Sequence, residues 1–129
     1  EDGFIRILGR VKRFAKVGGE MVSLNAVEGY AADVWAHGTH AAVALPDSRK
    51  GERIILFTDH EGATSEELLA WCKANGASEL AVPKRIVTIE DVPVLGSGKT
   101  DYVVLQRMAA EAASHGVWLT TAPHIVHNM

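Results

Sequence analysis

The chain has 129 residues, 47% of them apolar and 22% charged, and thirteen Lys and Arg against sixteen Asp and Glu leave a formal net charge of −3. These proportions suit one globular domain, exclude disorder over the whole chain, and provide no general attraction to nucleic acid or to a membrane surface. No apolar run reaches the ~18–20 residues of a membrane-spanning helix, and the single cysteine, Cys72, excludes an intrachain disulfide framework and points to a reducing compartment.

Phe4 to Leu8 is β-branched and loosely alternating, which predicts a strand. Arg10 to Val17 again carries apolar residues at about period two. The Gly18-Gly19 turn and the short strand Glu20 to Ser23 complete an antiparallel ribbon. Ser23 is a suitable N-cap for a helix from Leu24 to Trp35, whose Leu24, Val27, Tyr30, Ala31 and Val34 share one face. A strand is expected over Thr39 to Leu45, closed by Pro46-Asp47. A turn at Ser48 to Gly51 follows, then an apolar central strand over Glu52 to Thr58. The short link makes these two strands antiparallel.

Thr64 and Glu67 form a capping box for a second helix, which should stop at Asn75-Gly76. Arg85 to Ile89 predicts another strand, Asp91 to Thr100 a loop, and Leu105 to Ala113 a third helix that begins to form at Tyr102. The order predicts an α+β domain: a small, mostly antiparallel sheet with an N-terminal β-ribbon and flanking helices. It occupies residues 1–113, and residues 114–129 form an unassigned tail.

Three features could carry chemistry. Arg6, Arg10, Lys12, Arg13 and Lys16 form a basic run with no acidic residue among them, either a solvated ribbon face or a surface turned to phosphate or an acidic partner. Gly98-Lys99-Thr100 matches the end of a phosphate-binding P-loop, but Pro93 stands where the first glycine belongs and removes an N–H donor. Lys99 then reads as a flexible point charge on a mobile, open loop, able to reach a distant anionic site. The pairs His37/His40 and His124/His127 lack an obvious third metal ligand and read as surface histidines. No nucleophile, base and orienting acid group into a triad; Ser97 lacks the nucleophile-elbow pattern, and Cys72 reads as helix packing.

Two segments together carry a resemblance. Asp2 to Glu20 (DGFIRILGRVKRFAKVGGE) resembles the hinge motif, and Val92 to Tyr102 (VPVLGSGKTDY) the catalytic-lysine motif, of the C-terminal domain of the adenylate-forming acyl/aryl-CoA synthetase superfamily. They stand in the family's order, about eighty residues apart. The wording of Gly9 to Leu24 and of Leu95 to Tyr102 is most similar to the bacterial acyl-[acyl-carrier-protein] synthetase / 2-acylglycerophosphoethanolamine acyltransferase branch. The sequence departs from the superfamily pattern at Ala26, in place of the first Glu of a Glu-Ile-Glu whose second member remains as Glu28. It departs again at Leu95 and Tyr102, around the lysine motif.

The resemblance implies an enzyme that uses ATP and Mg²⁺ to form acyl-AMP from a fatty acid. It then loads acyl carrier protein and acylates a lysophospholipid at the cytoplasmic face of the bacterial inner membrane. Lys99 would be the catalytic lysine of adenylation and Lys12 the hinge. Arg10 would lie near the ribose or phosphate, and Lys16 and Gly19 would serve the thioester-forming pose. ATP and Mg²⁺ would be held mainly by a preceding N-terminal adenylation domain. The chain opens on Glu1 with no signal-peptide pattern, and is expected to be a piece of a longer protein, inactive by itself. The alternative is a module that docks acidic acyl carrier protein through the basic run without a catalytic role.

Overall fold

The computed structural model describes residues 13–47 and 51–116. The strand predicted over Phe4 to Leu8, the residues Arg6, Arg10 and Lys12, residues 48–50 of the expected turn, and residues 117–129 of the tail, with His124 and His127, lie outside the described residues.

The ribbon forms as its alternation requires. β1 (Phe14–Val17) pairs antiparallel with β2 (Glu20–Ser23), Phe14 opposite Ser23 and Val17 opposite Glu20. Period two turns Ala15, Val17 and Val22 into the core and leaves Phe14, Lys16 and Met21 exposed. The chain enters α1 (Leu24–Val34) directly from β2, with the Ser23 hydroxyl accepting from the Ala26 N–H at 3.1 Å. Trp35 is the C-cap rather than the last helical residue.

β3 (His40–Asp47) and β4 (Gly51–Thr58) pair antiparallel over eight residues, from His40 opposite Thr58 to Asp47 opposite Gly51. The strand expected to stop before Pro46 therefore runs two residues further. Among the described residues β3 is an edge strand, and an edge tolerates proline because a missing N–H there costs no ladder bond. β4 is central: β3 lies on one side, while β1 and the parallel strand β5 (Arg85–Thr88) lie on the other. The five strands thus make a mostly antiparallel sheet in the order β2-β1-β4-β3, with β5 also beside β4.

Both faces of that sheet are covered. Ala42, Ile54 and Leu56 turn toward Leu24, Val27 and Ala31 of α1 and Leu68 of α2 (Ser65–Asn75). Ala41, Val43, Ile55 and Phe57 turn toward Leu105 and Ala109 of α3 (Tyr102–His115). Burial on both faces explains why β4 reads as the unbroken apolar run Ile54-Ile55-Leu56-Phe57 rather than as an alternation. α3 starts at Tyr102, where the sequence predicts that the helix begins to form, because the Asp101 carboxylate caps it by accepting from the Val104 N–H at 3.2 Å, and it runs two residues past the expected Ala113.

Candidate functional site

The segment expected to be a mobile loop is a hydrogen-bonded hairpin. Val94 and Thr100 bridge antiparallel, the Leu95 N–H donates to the Lys99 carbonyl at 2.7 Å, and the Gly98 N–H donates to the Leu95 carbonyl at 2.8 Å. This is a three-residue hairpin, a tight turn closed by a residue at positive φ, and Gly98 at φ 92° supplies that residue. The Asp101 N–H closes the base on the Pro93 carbonyl at 2.9 Å. Two of the backbone donors that a P-loop would turn to phosphate, those of Leu95 and Gly98, are therefore used inside the hairpin. Lys99 is exposed, and its ammonium has no hydrogen bond or ion pair with any described residue.

Lys16 and Gly19 lie on the ribbon. Lys16 is exposed on the outward face between Phe14 and Met21, while its backbone N–H donates to the Glu52 carboxylate at 2.7 Å. Gly19 holds φ at 86° in the turn, a conformation that disfavours any side chain, although a Cβ there would meet nothing within 4 Å. The structure does not join Lys16 to Lys99 by any hydrogen bond or ion pair; it displays them on separate elements, Lys16 on β1 and Lys99 on the hairpin. Arg10 and Lys12 lie outside the described residues.

The two motif segments meet elsewhere, at Arg13 and Tyr102. Oε2 of Glu28, on α1, accepts from Arg13 Nη2 at 2.8 Å, from the Tyr102 hydroxyl at 2.7 Å and from the Ala42 N–H at 2.8 Å. Arg13 Nη1 donates to the Ala42 carbonyl at 2.8 Å, and Nη2 also reaches the Tyr102 oxygen at 3.0 Å. The guanidinium stacks on the Tyr102 ring, 3.9 Å from its centroid. Burial, reinforced by the Glu28 carboxylate, pushes the Tyr102 phenol up to about 12, against smaller opposing effects of Arg13 and Thr100.

Sequence reasoning missed this cluster, although a signal was present. Glu28 stands four residues after Leu24 and three before Ala31, inside the apolar stripe of α1. A carboxylate on a buried face requires a cation and further donors. The departures noted around the two motifs, Glu28 without its usual partner and Tyr102 after the lysine, are two parts of this one assembly.

The other candidates resolve into packing. His40 is half-buried rather than a surface residue. Its Nε2 donates to the Trp35 carbonyl at 2.9 Å, which leaves Nδ1 to accept from the Thr58 hydroxyl at 2.8 Å. His37 is exposed. Cys72 is fully buried in α2, and burial followed by the charge of Glu79 pushes its thiol up. Among the described residues no three His, Cys, Asp or Glu converge on a metal-sized site.

No family model matches the chain. It is 37% identical over 111 residues to the 2-hydroxy-7-methoxy-5-methyl-1-naphthoate–CoA ligase of Streptomyces carzinostaticus, a match covering 84% of this chain and 20% of that protein. It is 32% identical over 111 residues to the medium-chain fatty-acid–CoA ligase of Escherichia coli, covering 83% and 20%. Among solved structures, the acyl-CoA synthetase of Brucella canis superposes with a TM-score of 0.69 at 25% identity, covering 82% of this chain and 20% of that one. The chain spans about a fifth of the length of the relatives it matches.

Proposed function

From membership in the adenylate-forming acyl/aryl-CoA ligase superfamily, and a sequence and fold consistent with its C-terminal domain, we propose that this chain is the mobile lid of a ligase that activates a carboxylic acid with ATP. Lys99 is the catalytic lysine of adenylation. Its ammonium stabilises the charge that develops as the carboxylate attacks the α-phosphate. The observation that carries this role is the presentation of Lys99: a tight hairpin holds the residue out to solvent, with no partner in the described part of the domain to neutralise it.

Arg10 lies by the ribose or phosphate of the adenylate, Lys12 is the hinge, and Lys16 and Gly19 face the active centre after the domain turns to form the thioester. ATP and Mg²⁺ are held mainly by the adenylation domain that precedes this one. In the finer form of the proposal the acid is a fatty acid, the thiol belongs to acyl carrier protein, and the acyl group passes to a lysophospholipid at the inner membrane. The wording of the two motifs supports that form. The separation of Lys16 from Lys99 supports the use of two faces in turn.

The test is Lys99→Ala in the whole ligase. ATP–pyrophosphate exchange should fall by about 10²-fold or more, as for loss of one charge-stabilising group, while thioester formation from preformed acyl-AMP is retained. Exchange at the parent rate would remove Lys99 from the reaction. Thioester transfer to acyl carrier protein but not to CoA would support the finer form, and the reverse would discard it.

A further inference from the structure

We infer that Glu28 is a positioning residue: by gathering Arg13, Tyr102 and the β3 backbone onto one carboxylate oxygen, it locks the hairpin that bears Lys99 against the ribbon that bears Lys16. The inference rests on the proposed function for its catalytic meaning, and on geometry alone for its mechanical one.

The hairpin needs such a lock. Its bridge joins Val94 to Thr100, and among the described residues it pairs with no strand of the main sheet. On its N-terminal side it is anchored by Val92, buried in the α3-side core, an apolar contact without directional preference. On its C-terminal side it runs through Asp101 into Tyr102, the first residue of α3. There the phenol is held by the hydrogen bond to Glu28, the donation from Arg13 and the stacked guanidinium, all of which depend on direction. Val94, Leu95 and Val103 around it are exposed and add little packing.

The other end of the lock is equally firm. Arg13 immediately precedes β1, and its carbonyl accepts from the Leu24 N–H at 2.9 Å while its side chain spans Glu28 and the Ala42 carbonyl. Backbone and side chain of Arg13 are therefore both fixed to the body of the domain. A rotation about position 12 begins N-terminal to this anchor and carries Lys16 and Lys99 together as one body. Without the anchor the two lysines would not keep their relation through the turn.

The test measures the distance between ribbon and hairpin in the full chain. Spin labels at Met21→Cys and Ser97→Cys use two exposed positions outside the proposed machinery, while the buried Cys72 thiol stays unlabelled. The parent should give one narrow distance distribution. Glu28→Ala should broaden it about twofold, as expected when a local element opens independently of its domain, and Glu28→Gln, which keeps a carbonyl oxygen for the donors, should recover part of the narrowing. Tyr102→Phe, which keeps the stacked ring and loses the hydroxyl, should broaden it to an intermediate width. Loss of global stability alone lowers the melting temperature and leaves the width of the folded population unchanged. Parent-like width in folded Glu28→Ala would overturn the inference; if that variant does not fold, parent-like width in Tyr102→Phe would. Broadened distances together with intact pyrophosphate exchange in Lys99→Ala would keep the lock and remove Lys99 from the adenylation step.

Discussion

Tyr102 sits where burial and the Glu28 carboxylate both oppose loss of its proton, so its phenol ionises near 12 instead of the ordinary 10.0. A group whose folded-state value is raised contributes stability that is complete below the ordinary value and is lost as pH rises through the raised one. The domain should therefore lose stability between pH 10.0 and about 12, and Tyr102→Phe should lose less over that window. Melting temperatures of the two proteins, measured across the window, check this; parallel curves would mean that the phenol is no more protected than in the unfolded chain. At this scale Lys99 was legible from its flanking glycines, because those residue types announce a turn by themselves. Glu28 was not, since its partners stand 15 and 74 residues away along the chain.

The elements follow local chemistry wherever that chemistry is complete within a few residues. Ser23 caps α1, and Thr64 and Glu67 form the reciprocal capping box expected for α2, with Thr64 Oγ1 accepting at 3.2 Å and Glu67 Oε1 accepting at 3.4 Å. The same Glu67 oxygen also accepts from the Trp35 indole at 3.0 Å, which ties the start of α2 to the end of α1. Thr64→Ala should cost ~1 kcal/mol, the usual worth of an N-cap, and Glu67→Ala should cost more because the buried indole N–H loses its acceptor as well. Urea unfolding of the two variants ranks them, and an equal cost would show that the indole bond contributes nothing. The Lys99 segment departed from expectation for a related reason. Pro93, Gly96 and Gly98 signal irregular backbone equally well whether or not the flanking residues pair, and pairing depends on Val94 meeting Thr100.

At the scale of the whole molecule, β4 is the wall shared by two cores. Leu56 belongs to the α1/α2 side and Leu105 to the α3 side, and both are fully buried. Replacing either by Ala should cost ~2–5 kcal/mol. Because the two cores share one strand, each variant should still unfold in a single transition. Coincident denaturation curves by circular dichroism and tryptophan fluorescence check this, and separated curves would mean that the two faces fold independently.

Residue spacing alone determined the order of the elements, the ribbon, two of the helix caps and the α+β class, because each depends on contacts between chain neighbours or on a single periodicity. The two motifs are local in the sequence, and the part each would play is what their resemblance to the superfamily implies. Only the tertiary structure decided that β3, which carries Pro46, is an edge strand among the described residues and that the lysine loop is a hairpin. It also joined the hinge and lysine segments through Arg13, Glu28 and Tyr102. Those features depend on which distant groups satisfy a half-buried carboxylate or pair with a strand, and such pairing is settled when the sheet and helices assemble.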